Sequence, residues 1–134
     1  MTTYVDSSAL LKLYIDEPDS DDAQRFLDAD PVLATAWVTY VEVRRNLGRL
    51  LSGTALTRAR EACERDLDAM ALINLDQRGW RRAGDIGEIV GVRSLDALHL
   101  AAAQQLGIPD LLFCTFDLRQ GQAARQLGLR VVGC

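Results

Sequence analysis

Four acidic side chains stand where chemistry is easiest to build in this sequence. Asp6 closes the short β-branched run TYVD, and Asp117 closes the apolar run LLFCTFD. Glu42 lies near the start of a helical pattern, on the polar side opposite Tyr40, Val43 and Leu47. Asp96 falls in the first turn of LDALHLAAAQQLG, a pattern for which Ser94 is the expected N-cap. Each acid has a plain structural explanation. Asp6 could cap the next helix, Asp96 could answer a helix dipole, and Glu42 could pair with Arg45 or Asn46 one turn on. Asp117 could be a turn residue. Jointly they imply more, because burying several carboxylates together is costly unless cations neutralise them. A divalent metal is the usual solution. Without it, one or more of these groups should hold its proton more tightly than a model acid.

The residue inventory narrows which metal. Cys63, Cys114 and Cys134 form no CxxC pair, and His99 is the one histidine, so zinc sites are hard to build. Ligands that are mainly oxygens point to Mg²⁺ or Mn²⁺. Ser7 and Thr115 each lie within two positions of a strand-end aspartate, where a hydroxyl could hydrogen-bond the carboxylate. His99 is one helical turn from Asp96 on the same side. It could orient that aspartate or touch substrate, although a satisfied structural histidine is the simpler role.

These residues need elements that bring them together. Short β-like runs alternate with longer helical patterns. TYVD (3–6) leads into the helical SALLKLYI, which Pro18 should stop, and 19–30 has the acid-rich first turn of a helix. VLAT follows as a second strand. Tyr40, Val43, Leu47, Leu50 and Leu51 then mark one helix, and Leu56, Ala59, Cys63, Leu67 and Met70 the next. ALINL (71–75) reads as a strand and 76–91 as a helix weakened by glycines. Leu95, Leu98, Ala102 and Leu106 stripe the helix after Ser94, with Gly107 as its stop. The strand LLFCTFD, a helix to about Leu127, and RVVG complete the chain. Strands separated by helices predict one α/β domain over 1–134 with a mainly parallel sheet. In such sheets functional groups gather at the carboxyl ends of the strands. Asp6 and Asp117 should reach that edge, and Glu42 and Asp96 lie near the starts of helices that begin there.

Composition sets outer bounds. The 134 residues, 49% hydrophobic and 25% charged, suit a globular protein with one core. No run approaches a membrane span and the N-terminus does not read as a secretion signal, so a cytoplasmic protein is expected. A net charge of −4 argues against bulk attraction to nucleic acid. All but one of the 15 basic residues are Arg, the exception being Lys12. Arg44, Arg45 and Arg49, and Arg78, Arg81 and Arg82, form local patches whose plain reading is solvated helix surface. Trp37 or Trp80 could anchor a partner chain or lie in the core.

The segments YVDSSALLKLY (4–14), TYVEVRRNL (39–47), RSLDALHLAAA (93–103) and FCTFDLRQGQAA (113–124) together resemble the PIN domain. Within it the chain is most similar to VapC toxins of bacterial toxin–antitoxin pairs, over essentially its whole length. The resemblance implies a PIN-like three-layer α/β/α sandwich with a mainly parallel central sheet. It implies that Asp6, Glu42 and Asp96 are acidic metal-site residues, that Asp117 is the fourth acid, and that Thr115 is the hydroxyl often found just before it. It also implies Mg²⁺- or Mn²⁺-dependent cleavage of RNA, commonly tRNA or ribosomal RNA, and inhibition by a cognate antitoxin. The implied assembly is a homodimer, or a heterotetramer or octamer with the antitoxin.

The expected reaction is metal-assisted hydrolysis of an RNA phosphodiester, with Glu42 either completing the ligand set or acting as base. Two rivals have different requirements. An aspartyl-phosphate protein would want a lysine late in the chain, and a pure binding module would need no metal.

Overall fold

Threonine, tyrosine and valine favour the half-buried extended chain, and the first strand, β1 (Thr2–Val5), uses all three. The computed structural model describes residues 1–134. In chain order the remaining elements are α1 (Ser7–Leu11), α2 (Ser20–Ala29), β2 (Val32–Ala36), α3 (Trp37–Leu50) and α4 (Gly53–Asp68). Then follow β3 (Ala71–Ile73), α5 (Gln77–Val90), α6 (Ser94–Gln105), β4 (Leu112–Cys114), α7 (Leu118–Gln126) and β5 (Arg130–Val132).

The five strands form one sheet in the order β3-β2-β1-β4-β5, with every neighbouring pair parallel. The chain winds from β1 outward through β2 and β3, then returns to the other side of β1 for β4 and β5. The order therefore reverses between β1 and β4, where a crevice opens outside the strand ends.

Alternation along the strands splits the interior into two cores. Tyr4, Ala36 and Phe113 face α5, α6 and α7. Val5 and Cys114 face the other way, toward Leu10, Leu27, Val43, Leu47, Cys63 and Leu67 of α1 to α4. The result is the three-layer α/β/α sandwich that the sequence led us to expect. Tyr4 and Phe113 are register partners and stack at 5.2 Å between ring centroids. Helix α6 buries Ala97 and every residue from His99 to Ala103, as a helix packed on several sides must.

Local expectations need three corrections. The first helix ends at Leu11, well before Pro18, because Lys12, Leu13 and Tyr14 close tight turns onto carbonyls three residues back. Ser94 is not the N-cap of α6: Arg93 takes that extended position, and no side chain caps the helix. The third strand is only Ala71–Ile73, since Asn74 and Leu75 lead into the Asp76 cap of α5. Gly91 ends α5 with φ at +76°, the left-handed turn a glycine adopts freely.

The tryptophans and basic patches also resolve. Trp37 and Trp80 are both exposed, as are Val41 and Ile89. Arg44 lies against the Tyr40 ring and reaches Glu64, a structural role. All three cysteines are free. Burial pushes the thiol of Cys114 up to about 12 and that of Cys63 up to about 11. No helix is long and apolar enough to cross a membrane.

Candidate active site

Asp6 follows β1 directly and serves as the N-cap of α1, its Oδ1 accepting from the Ala9 amide at 3.0 Å. The same oxygen accepts from the Ser8 hydroxyl at 2.7 Å, and Oδ2 accepts from Thr115 at 2.5 Å. Asp6 is nevertheless buried, with 4% of its surface exposed. Burial raises its pKa, the charge of His99 and these hydrogen bonds lower it, and burial prevails. One of the four acids thus does hold its proton more tightly than a free aspartate, and the cause is its removal from water.

Asp117 divides its oxygens between two tasks. Oδ1 caps α7 by accepting from the amides of Arg119 and Gln120, while Oδ2 faces the Arg93 guanidinium at 3.7 Å. Asp117 does not close the strand, as LLFCTFD suggested: β4 ends at Cys114, and Asp117 lies beyond it as the N-cap of α7. Thr115 joins it to Asp6, since its hydroxyl donates to Asp6 and accepts from the Asp117 amide at 3.1 Å. The structural and functional readings of Asp6 and Asp117 are therefore not alternatives. Capping fixes where each carboxylate points.

Glu42 pairs with neither Arg45 nor, through its carboxylate, Asn46, whose amide donates to the Glu42 backbone carbonyl. Its Oε1 instead accepts from Ser7 at 2.6 Å and from His99 Nε2 at 2.6 Å. Partial burial pushes the Glu42 carboxyl up, but the hydrogen bond and charge of His99, together with Ser7, outweigh it and hold the group below its ordinary range. His99 thus orients Glu42, not Asp96. The other ring nitrogen, Nδ1, meets the buried Tyr4 hydroxyl at 2.8 Å. His99→Ala removes the donor that aims Glu42 and is expected to lower activity about 10–100-fold. Cleavage rates beside unchanged far-ultraviolet circular dichroism would check this; a wild-type rate would refute it.

Asp6, Glu42, Asp96 and Asp117 line one cleft of about 200 Å³ at the crevice between β1 and β4, with Ser7 and His99 beside them. Sequence reasoning gave no role to Ser8, Arg93, Tyr4 or Gln120. Ser8 and Arg93 sit inside the segments that drew attention, DSSA and RSLDALH, but nothing local showed which way they turn. Gln120 is buried in α7, where its side-chain amide donates to the Asp96 carbonyl at 3.1 Å, tying the two acid-bearing helices together. A larger groove of about 490 Å³, lined by Trp80, Val92 and Leu98 among others, holds none of the four acids.

In kind, the donors suit a hard divalent ion: four carboxylates and no thiolate. As placed, no three of the acidic or histidine side chains form a ready-made ligand set. Glu42 is turned toward Ser7 and His99, and Arg93 spans Asp96 and Asp117. The late lysine an aspartyl-phosphate site would need does not exist in this chain, and the one lysine, Lys12, pairs with Glu17 and Asp19 at 2.8 Å each.

The family model described as PIN domain matches residues 3–126, so this chain belongs to the PIN domain family. Among curated relatives, Ribonuclease VapC46 of Mycobacterium tuberculosis is 38% identical over 129 residues, covering 96% of this chain and 95% of the relative. Among solved structures, that of the Mycobacterium tuberculosis VapC20 toxin, described as cleaving the sarcin–ricin loop, superposes with a TM-score of 0.75. It is 19% identical and covers 98% of both chains. DNA-bound VapBC from Salmonella typhimurium gives 0.73 at 17% identity, covering 100% of this chain and 99% of that one. The PIN branch to which the chain is similar is thus that of the VapC ribonucleases.

Proposed function

We propose that this chain is a Mg²⁺- or Mn²⁺-dependent endoribonuclease, the toxin of a toxin–antitoxin pair, neutralised by a cognate antitoxin. The observation that carries the reading is the convergence of Asp6, Glu42, Asp96 and Asp117 on one cleft at the carboxyl ends of β1 and β4. The relatives named ribonucleases support the reaction class. The VapBC and FitAB complexes among similar folds support the partner. Transfer RNA or ribosomal RNA is the proposed substrate class, and a homodimer or a larger assembly with the antitoxin the proposed state.

Asp6, Asp96 and Asp117 would hold the cation or cations, with Glu42 as a further ligand or as base. A bound divalent ion supplies Lewis acidity toward the phosphate and neutralises the site's charge. The residues themselves do the positioning. Thr115 and Ser8 fix the Asp6 carboxylate, and the α7 cap fixes that of Asp117. Ser7 and His99 hold Glu42 ionised, ready to accept a hydrogen bond from the attacking water.

Purified chain is expected to cut RNA in Mg²⁺ or Mn²⁺ and to stop in EDTA. Cleavage that persists in EDTA would overturn the metal reading. Expression with and without the adjacent open reading frame, followed by sequencing of RNA ends, tests the rest. New RNA ends and growth arrest are expected only when the chain is expressed alone.

A further inference from the structure

The cleft contains one permanent cation. Among its lining residues only Arg93 carries a fixed positive charge, against the four carboxylates. Its Nε lies 3.2 Å from Asp96 Oδ2 and its Nη2 3.7 Å from Asp117 Oδ2, so one guanidinium spans acids from two helices. The pairing is held loosely. The Arg93 side chain is 74% exposed, whereas those of Asp96 and Asp117 are 17% and 33% exposed. Arg93 also occupies the cap position of α6 without using its side chain there, so the guanidinium can leave without disturbing the helix. An exposed pair of this kind contributes little to stability and is readily exchanged.

We propose that Arg93 is the substrate-binding cation of this cleft, docked on Asp96 and Asp117 and freed for an RNA phosphate once those carboxylates are claimed by a divalent ion. The inference rests on the reading of the cleft as a divalent-metal ribonuclease site. Two cations compete for the same oxygens, and a divalent ion surrounded by several carboxylates outcompetes one exposed guanidinium. Displacement does not waste the arginine. Its planar fork matches a phosphate as well as it matches a carboxylate, and it pivots at the rim of the cleft where a polyanion must enter. The exchange also resolves a charge problem, because an acidic protein offers its one cleft arginine to RNA only after the acids are neutralised.

Arg93→Gln in the full chain separates the two halves of the claim. Melting temperature is followed against Mn²⁺ concentration for wild type and variant, with no RNA present. The variant is expected to respond at about three- to tenfold lower Mn²⁺, because its competitor is gone. Cleavage of bulk tRNA in saturating Mn²⁺ should then show KM raised about tenfold with kcat changed less, and a shallower dependence of KM on salt. Identical Mn²⁺ curves, or a weaker response in the variant, would overturn the docking, as an unchanged KM would overturn the phosphate contact. A wild type whose melting temperature ignores Mn²⁺ would instead sink the metal reading itself. Arg93→Lys, which keeps the charge without the fork, should fall between the two in both measurements.

Discussion

Asp6→Asn is expected to abolish divalent-dependent cleavage, by about 100-fold or more, while leaving the protein as stable as the wild type or more so in EDTA. Both halves come from one carboxylate. In activity, Asp6 is one of the four acids lining the cleft, fixed by Thr115, Ser8 and the Ala9 amide. Asparagine keeps the cap, since Asn is as good an N-cap as Asp, but cannot supply the charge. In stability, burial raises the Asp6 pKa above its value in the unfolded chain. Folding therefore takes up protons at this group. Its stabilising contribution is complete below the ordinary aspartate range and is lost as the pH rises through the raised value. At neutral pH the wild type carries that loss and the asparagine variant does not. The melting-temperature advantage of Asp6→Asn should accordingly be largest near neutrality and shrink as the pH falls toward about 4. Adding Mn²⁺ should reverse the order, raising the wild type and leaving the variant behind. Thermal melts at several pH values, with and without the ion, would show it. A variant that melts with the wild type at every pH, with or without the ion, would mean that Asp6 is simply a cap, a role asparagine keeps.

The second large effect lies beneath the site. Phe113→Ala should cost about 3–5 kcal/mol, within reach of the whole stability of a domain this size. Phe113 is fully buried in the centre of β4 and stacks flat on Tyr4, its register partner in β1. Alanine would leave a void under Tyr4, and the backbone of two central strands cannot close it. The loss should not stop at stability. Tyr4 holds His99, His99 holds Glu42, and all three gain their orientation from that packing. Activity under conditions where the variant is still folded is therefore expected to drop as well. Phe113→Leu, which refills most of the volume, should recover most of both. Urea unfolding paired with cleavage rates would test the link, and a destabilised variant with wild-type kcat would break it.

The comparison of sequence with structure is clearest at particular residues. Asp6, Asp96 and Asp117 were legible because each sits at a boundary between elements, where local pattern reports position well. Glu42 was legible in place, but its partners were not. Local reasoning offered Arg45 or Asn46 one turn along the helix, yet the carboxylate turned inward to Ser7 and His99, which lie 35 and 57 residues away in sequence. Tyr4 read as a strand aromatic, and nothing near it in the chain announced that its hydroxyl would meet His99. Arg93 and Gln120 gave no signal, because an arginine before a helix and a glutamine within one are ordinary surface choices.

By itself the sequence determined the alternation of strands and helices, the parallel sheet that follows from it, the three aspartates at element boundaries and Glu42 on the polar side of its helix. These are local matters of hydrophobic period, cap chemistry and chain direction. The tertiary structure alone decided the strand order, which reverses between β1 and β4 and so opens the crevice that gathers the acids. It also decided how deeply Asp6 is buried, which hydroxyls hold it, and that Arg93 spans two of the other carboxylates. Burial and pairing across distant segments depend on how the layers pack, and no local pattern encodes that.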